Sequence, residues 1–376
     1  MTISIWIAGA VGIVATTVHI ASILIVVQRS RRAKRPVHGL PDAPAISLVR
    51  PVCGIDNYVE DTLRSAFHLD YPRYEIVFCV ALPGDPVVPL VERLIAAYPQ
   101  VRARLLVGNE SISDNPKLNN VYKGWRAAQH DWIVMADSNV LMPRDYLWRL
   151  LAAWRDDTGL VASPPVGCRP RGFWAELECA FLNNHQARWQ LTADRIGLGF
   201  AQGKSMLYRR SIIDEAGGIR ALATEPAEDA ATTKIVRKAG LRVRLVDAPF
   251  GQPLGERSGA EVWLRQLRWA RLRRASFPAC YALELASGGL WPLIAVACLA
   301  AGLQWPWLSV AAFAAFWFGC EAVLARAAGW QLGWRSPLAW LLRDLLLPAL
   351  WIGGWVATGF VWRGQQVEMI ESRRAV

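Results

Sequence analysis

Three polar islands carry residue types that can do chemistry: Asp137-Ser138-Asn139, Glu228-Asp229 and Arg265-Gln266-Leu267-Arg268-Trp269. One carboxylate can hold a metal on a diphosphate, and a second can take a proton from an acceptor hydroxyl. A basic-aromatic segment can neutralise a leaving group. Together these suit transfer of a sugar from a nucleotide diphosphate. Each island also has a plainer explanation. Asp-Ser-Asn is good turn chemistry, acidic residues are favoured at helix starts, and arginines interleaved with apolar residues attach helices to membrane surfaces.

The elements that would position these residues can be read from periodicity. Short β-branched runs at Ile46–Val52, Glu75–Ala81, Arg102–Val107, Trp132–Ala136 and Leu160–Ser163 predict strands. Between them, Tyr58–Phe67, Val88–Tyr98, Leu118–Gln129 and Arg144–Trp154 predict helices, and Ala230–Ala239 predicts a further one. This alternation argues an α/β fold with a mainly parallel sheet, in which ligands bind beyond the carboxyl ends of the strands. Gly54, Asp56, Gly84, Asp85 and Asp137 all fall at such ends. Asn115-Pro116-Lys117-Leu118-Asn119-Asn120 places a lysine and amides at a helix start, where anions are attracted but where capping is also expected. Gly203-Lys204-Ser205 lacks the earlier glycine of a phosphate loop, so an ATPase reading fails. His185 is a lone histidine whose default role is structural.

The ends of the chain are of a different kind. Hydrophobic residues make up 53% of the 376 residues and charged ones 19%, with the apolar excess at both termini. Ile3 to Val27 carries no formal charge and is long enough to span a bilayer. Arg29, Arg31, Arg32, Lys34 and Arg35 follow it at once, so the positive-inside rule places Met1 outside and the middle of the chain in the cytoplasm. Apolar segments recur at Gly288–Leu303, Trp305–Leu324 and Pro337–Trp362, the last containing Arg343 and Asp344, which lipid tolerates only when buried or paired. One of the three is expected to be re-entrant or interfacial. The resulting plan is an anchor at 1–28, a basic and Pro-rich linker at 29–45, a catalytic domain at 46–262, an interfacial amphipathic segment at 263–282, membrane helices at 283–362 and a tail at 363–376. The net charge of +11, mostly arginine, suits phosphate and headgroups, and its place beside apolar segments speaks against nucleic acid as partner. Seven scattered cysteines without a CxxC pair argue against a zinc site or disulfide framework.

In this order and spacing the motifs resemble the ceramide glucosyltransferases of glycosyltransferase family 21. The landmarks are Arg50-Pro51-Val52-Cys53-Gly54-Ile55-Asp56, Leu69-Asp70-Tyr71-Pro72-Arg73-Tyr74-Glu75, Asn115 to Asn120, Ala136 to Asn139, Ala227-Glu228-Asp229 and the Arg/Gln-x-x-Arg-Trp signature at 265–269. The resemblance implies a GT-A catalytic domain flanked by transmembrane helices. It implies inverting transfer of glucose or a related hexose from a UDP-sugar to the primary hydroxyl of ceramide, with a divalent cation, Mg2+ or Mn2+. It assigns Asp85 to the nucleotide, Asp137 to the metal–diphosphate and Asp229 to the base, with Glu228 beside it. Arg265, Arg268 and Trp269 fall around the diphosphate and acceptor, and Gly54, Lys117, Asn119 and His185 at the nucleotide sugar. Asn139 stands where an Asp-x-Asp motif has its second carboxylate, which puts metal identity in question. A hopanoid-associated N-acetylglucosamine transferase shares these motifs and is the rival among enzymes; a membrane nucleotide-sugar scaffold without turnover is the rival from another class. The terminal segments have a bacterial look, so an inner-membrane protein with a cytoplasmic catalytic domain is expected.

Overall fold

A computed structural model describes residues 3–33, 42–356, 359–362 and 365–368. Residues 34–41 of the expected linker and the expected tail apart from 365–368 fall outside the described residues. The chain divides into two compact units, one of residues 1–34, 167–192 and 256–358, the other of 35–166, 193–255 and 359–376.

The second unit holds a sheet of seven strands: β1 (Ile46–Val52), β2 (Tyr74–Val80), β3 (Ala103–Val107), β4 (Trp132–Ala136), β5 (Thr158–Ser163), β6 (Ser205–Arg209) and β7 (Arg242–Leu245), in spatial order β3-β2-β1-β4-β6-β5-β7. Strands β1 to β4 pair in parallel, as do β5 and β7, whereas β6 runs antiparallel between β4 and β5. The sheet is therefore mainly parallel, as predicted. β1 and β2 are buried along almost their whole length, with Leu48, Val52, Ile76 and Phe78 in one core with Leu63, Val91 and Leu150. Continuous burial of this kind is what helices on both faces of a parallel sheet produce.

The periodicity located β1 and β4 at their observed bounds. It did not find β6, whose register is the feature that matters most for the site. Ala136 pairs with Ser205, so the next step along each strand brings Lys204 opposite Asp137, and the Asp137 N–H donates to the Lys204 carbonyl at 3.0 Å.

The first unit is helical. Ile3–Ala33, Leu308–Ala328 and Ser336–Val356 are long and apolar enough to cross a membrane, whereas Leu290–Leu303 has only 14 residues. At 1.5 Å per residue that shorter helix reaches about 21 Å, less than the ~30 Å of a hydrocarbon core. Arg29 to Ala33 continue the first helix rather than starting a linker. The last apolar segment is helical over Ser336–Val356, and Gly359–Trp362 pairs antiparallel with Gln365–Glu368.

Arg343 and Asp344 are fully paired in this unit. The Arg343 guanidinium grips Glu321 at 2.8 and 3.0 Å and Asp344 at 2.9 Å, and Asp344 also accepts the Gly289 N–H at 2.8 Å. Arg188 stands 3.8 Å from Glu321 and 3.0 Å from the His19 ring, which stacks on Trp317. The condition that the sequence set for charges in an apolar segment is thus met by Glu321, a partner on the neighbouring helix.

Candidate active site

In the sheet-containing unit, Asp137 follows the last residue of β4, and buried Arg50 of β1 fixes the loop it begins. The Arg50 guanidinium donates to the carbonyls of Asp137, Ser138 and Val140 at 3.0, 3.2 and 3.3 Å, and to Thr62 at 2.7 Å. The Asp137 carboxylate then meets two ammonium groups, Lys117 at 2.7 Å and Lys204 at 2.9 Å. Burial opposes its charge, but the two lysines outweigh burial and hold the carboxyl well below the usual carboxylate range.

Lys117 arrives on helix Pro116–Ala127. Asn115 caps that helix by accepting from the Lys117 and Leu118 N–H groups at 2.9 and 3.1 Å, and Pro116 occupies its first turn. The Lys117 ammonium bridges Asp137 and Glu228, the latter at 2.6 Å, and donates to the Gly203 carbonyl. Although burial disfavours its charge, these carboxylates keep it protonated above the usual lysine range. The Asn115 amide donates to the other Glu228 oxygen at 2.8 Å, so Glu228 is held from both sides.

Asp229 sits one residue further into helix Glu228–Lys238. It accepts the Gly203 N–H at 2.8 Å and the Ala230 N–H at 2.8 Å. Burial, followed by the like charge of Glu228, raises its carboxyl to about 6, against the opposing pull of Lys117. A carboxylate so tuned can take up a proton near neutral pH.

The remaining predicted residues of this unit hold loops. Asp85 accepts the N–H of Gly54 at 2.9 and 3.0 Å and that of Val87 at 2.9 Å, joining the ends of β1 and β2; Gly54 has φ +69°, a conformation that favours glycine. The Asn119 amide is spent on Ile112 and Ser113.

The helical unit carries the rest. Helix Gly259–Ser276 opens with a Ser258–Glu261 capping box and buries Val262, Gln266 and Ala270, one stripe at a spacing of four. Leu264 on the same helix is 63% exposed, as an apolar residue meant for a membrane interface would be. Arg265 pairs with fully buried Glu178 at 2.5 Å, while Arg268 and Trp269 are half-buried on the same helix. His185 lies in a π-helical stretch, Ala180–Ala187, that is buried at every residue, and its Nε2 is 2.8 Å from Ser287 Oγ.

Three contributors escaped sequence reasoning. Lys204 was weighed only against a phosphate loop, Arg50 served only as a landmark, and Glu178 went unnoticed among apolar neighbours. An arginine inside a strand, as in Leu48-Val49-Arg50-Pro51, was the one available signal, because a charge there must find buried partners.

Residues 4–375 match the model of "Glycosyl transferase family 21". The chain belongs to that family. It is a glycosyltransferase. Ceramide glucosyltransferases 1 and 3 of Caenorhabditis elegans are 24% and 26% identical to this family 21 transferase over 88% and 85% of its length and 72% of theirs. The ceramide glucosyltransferase of Komagataella phaffii is 25% identical over 89% of this chain and 84% of its own. Among solved structures, a mannosyltransferase from Pyrobaculum calidifontis, in complex with GDP-mannose and Mn2+, superposes with a TM-score of 0.51 at 20% identity, covering 93% of the transferase and 98% of itself. The fold is GT-A, with an apolar helix long enough to span a membrane at the N-terminus.

Proposed function

We propose that the enzyme moves glucose, or a related hexose, from a UDP-sugar to the primary hydroxyl of ceramide with inversion at the anomeric carbon. The observation that carries the chemistry is the convergence of Lys117, Lys204, Asp137, Glu228 and Asp229 at the strand ends, with one carboxylate raised to about 6. The family relatives carry the acceptor and the sugar.

In this reading Asp229 takes the proton of the acceptor hydroxyl as that oxygen bonds to the anomeric carbon. The bond from that carbon to the diphosphate breaks, and UDP leaves with its electron pair. Attack opposite the leaving group inverts the configuration and requires no covalent nucleophile. Lys117 orients Asp137 and Glu228, and Lys204 supplies positive charge beside the leaving group. Asp85 and Gly54 would shape the nucleotide side, and Arg265, Arg268 and Trp269 would serve the diphosphate and acceptor.

The residues fit a divalent cation. Asp137 and Asn139 oxygens already converge on a positive charge, the Lys204 ammonium, at 2.9 and 3.3 Å. Hard oxygens of this kind suit Mg2+ or Mn2+, which commonly take their remaining ligands from phosphate and water. When bound, the cation would offset charge on the departing diphosphate.

The enzyme would be an integral protein of a bacterial inner membrane with this site in the cytoplasm, which the arginines ending the first helix support. Protease added to sealed cells should spare residues 45–275; cleavage there reverses the topology. Mass spectrometry of lipids from an expressing host, supplied in turn with each UDP-sugar, tests the reaction. A glycosylated ceramide supports it, a glycosylated hopanoid moves the acceptor to the rival, and no new lipid overturns transferase activity on either.

A further inference from the structure

A cleft in the helical unit holds polar atoms that the fold itself leaves unsatisfied. It is narrow, with about 20 Å³ of free space inside roughly 330 Å³ counting its open mouth. That is room for one or two oxygen-sized groups. Gln186 and Gln266, 7% and 2% exposed, are hydrogen-bonded to each other at 2.8 Å, and this single bond leaves one amide oxygen and one amide NH2 group without a partner. Exchanging oxygen and nitrogen in both side chains keeps the bond and still leaves one donor and one acceptor open.

His185, which the resemblance assigns to the nucleotide sugar, lines this cleft instead and adds a second acceptor. Ser287 Oγ donates to the Glu284 carbonyl at 2.6 Å, so the His185–Ser287 contact needs its proton on Nε2. Burial, followed by the charges of Arg343, Arg188 and Arg273, pushes the ring well below its usual pKa, so it is neutral and Nδ1 is a bare lone pair with no partner. Arg273 and Glu284 also line the cleft but cancel each other in a two-bond pair at 2.7 and 2.9 Å. The other walls are apolar and fixed. The Tyr281 hydroxyl donates to the Trp351 carbonyl at 2.9 Å and the Trp351 indole donates back to the Tyr281 carbonyl at 3.0 Å, while Phe181, Leu347 and Leu350 complete them.

We infer that this cleft receives the polar head of the lipid acceptor, with Gln186, Gln266 and His185 hydrogen-bonding its hydroxyl or amide groups. The inference rests on the lipid-acceptor reading above. One open donor and two open acceptors match a hydroxyl, which both gives and accepts, together with a second hydroxyl or an amide N–H. No net formal charge lines the cleft, so the ligand is a neutral lipid alcohol rather than a phospholipid. The π-helical turn that carries His185 and Gln186 agrees with this, since such turns recur at functional sites. Ceramide and a hydroxylated hopanoid share the required chemistry.

The test uses the full chain in nanodiscs with UDP-glucose or UDP-N-acetylglucosamine and either lipid. The double variant Q186L/Q266L removes both members of the pair, so neither glutamine is left facing a missing partner and the chain should fold normally. Leu347→Trp fills the cleft from its apolar side as an independent variant. The ceramide KM should rise about tenfold or more in both, the loss of one or two hydrogen bonds, while UDP affinity and thermal unfolding stay near wild type. Wild-type turnover of ceramide with an unchanged acceptor KM in both variants overturns the cleft assignment, leaves the reaction intact and assigns the space to ordered water. Turnover of the hopanoid alone, with its KM raised in the variants, keeps the cleft and rejects ceramide. UDP-sugar binding without turnover of either lipid overturns both.

Discussion

Two of the transferase's buried clusters of opposite charges differ in balance. In the helical unit two guanidiniums, Arg188 and Arg343, face two carboxylates, Glu321 and Asp344, and all four are at most 1% exposed. In the sheet unit two ammoniums, Lys117 and Lys204, face three carboxylates, Asp137, Glu228 and Asp229. The first cluster is neutral and sealed, which suits a lock between apolar helices. In the second, one carboxylate is in excess of the ammoniums it pairs with, the Arg50 guanidinium being taken up by backbone carbonyls, and Asp137, Lys117 and Lys204 keep 20%, 12% and 17% of their side chains accessible. An excess of negative charge beside an opening is what a cation or a transferred proton can use. Burial alone does not distinguish structure from chemistry here; balance does.

Breaking the sealed cluster should have the largest effect. Arg343→Met strands Glu321 and Asp344 without their main partner, and removing one member of a buried pair typically costs ~3–5 kcal/mol. The variant should lose most of its folded yield in detergent, read by size-exclusion recovery and thermal unfolding. Adding Glu321→Leu should restore part of it. Normal stability of Arg343→Met alone would mean that the cluster holds nothing together.

The open cluster should respond in turnover instead. Asp229→Asn keeps shape and hydrogen bonding while removing basicity, so kcat should fall ~10²-fold or more with UDP affinity and folding preserved. If Asp229 is only a helix-start residue, Asn serves almost as well, and near-normal turnover would end its role as base. Asp137→Asn should act on binding, weakening the metal dependence of UDP-sugar affinity by about tenfold in titration calorimetry. An unchanged metal requirement would return Asp137 to turn-forming duty.

How much of this was visible in the sequence differs between the two clusters. Asp137 was legible because a β-branched run, Trp132–Ala136, announces a strand and so a strand end. Glu228 and Asp229 were legible as a helix start. Lys204 was not, because its role depends on β6 lying antiparallel beside β4, a pairing between segments some 70 residues apart that local periodicity does not encode. Arg343 and Asp344 announced a need for partners, yet Glu321 lay unmarked inside an apolar run, and only helix packing brings it to Arg343. The Gln186–Gln266 pair was hidden for the same reason. Each glutamine is an ordinary polar residue in its own segment and becomes informative only when both are buried with open atoms.

The finest test of the difference in balance is a pH profile. Asp229 must be ionised to act as base, so turnover should rise with pH through an acid limb at about 6, where its carboxyl titrates. Burial sets most of that elevation and the like charge of Glu228 adds to it. Glu228→Gln removes the repulsion and also frees Lys117 from one of its two carboxylates, leaving more of the ammonium's charge for its neighbours. Both changes favour the ionised form of Asp229, so the limb should move to lower pH. Lys117→Met has the opposite sign, because the charge that opposes the elevation is lost, and its limb should move to higher pH. The two carboxylates interact, so the observed limb belongs to the pair, and the direction of the shift is the quantity to read. Shifts of opposite sign in these two variants, measured on kcat at saturating UDP-sugar, would tie the spare charge of the open cluster to catalysis. Limbs that stay in place would show that the proton is taken by a group outside it.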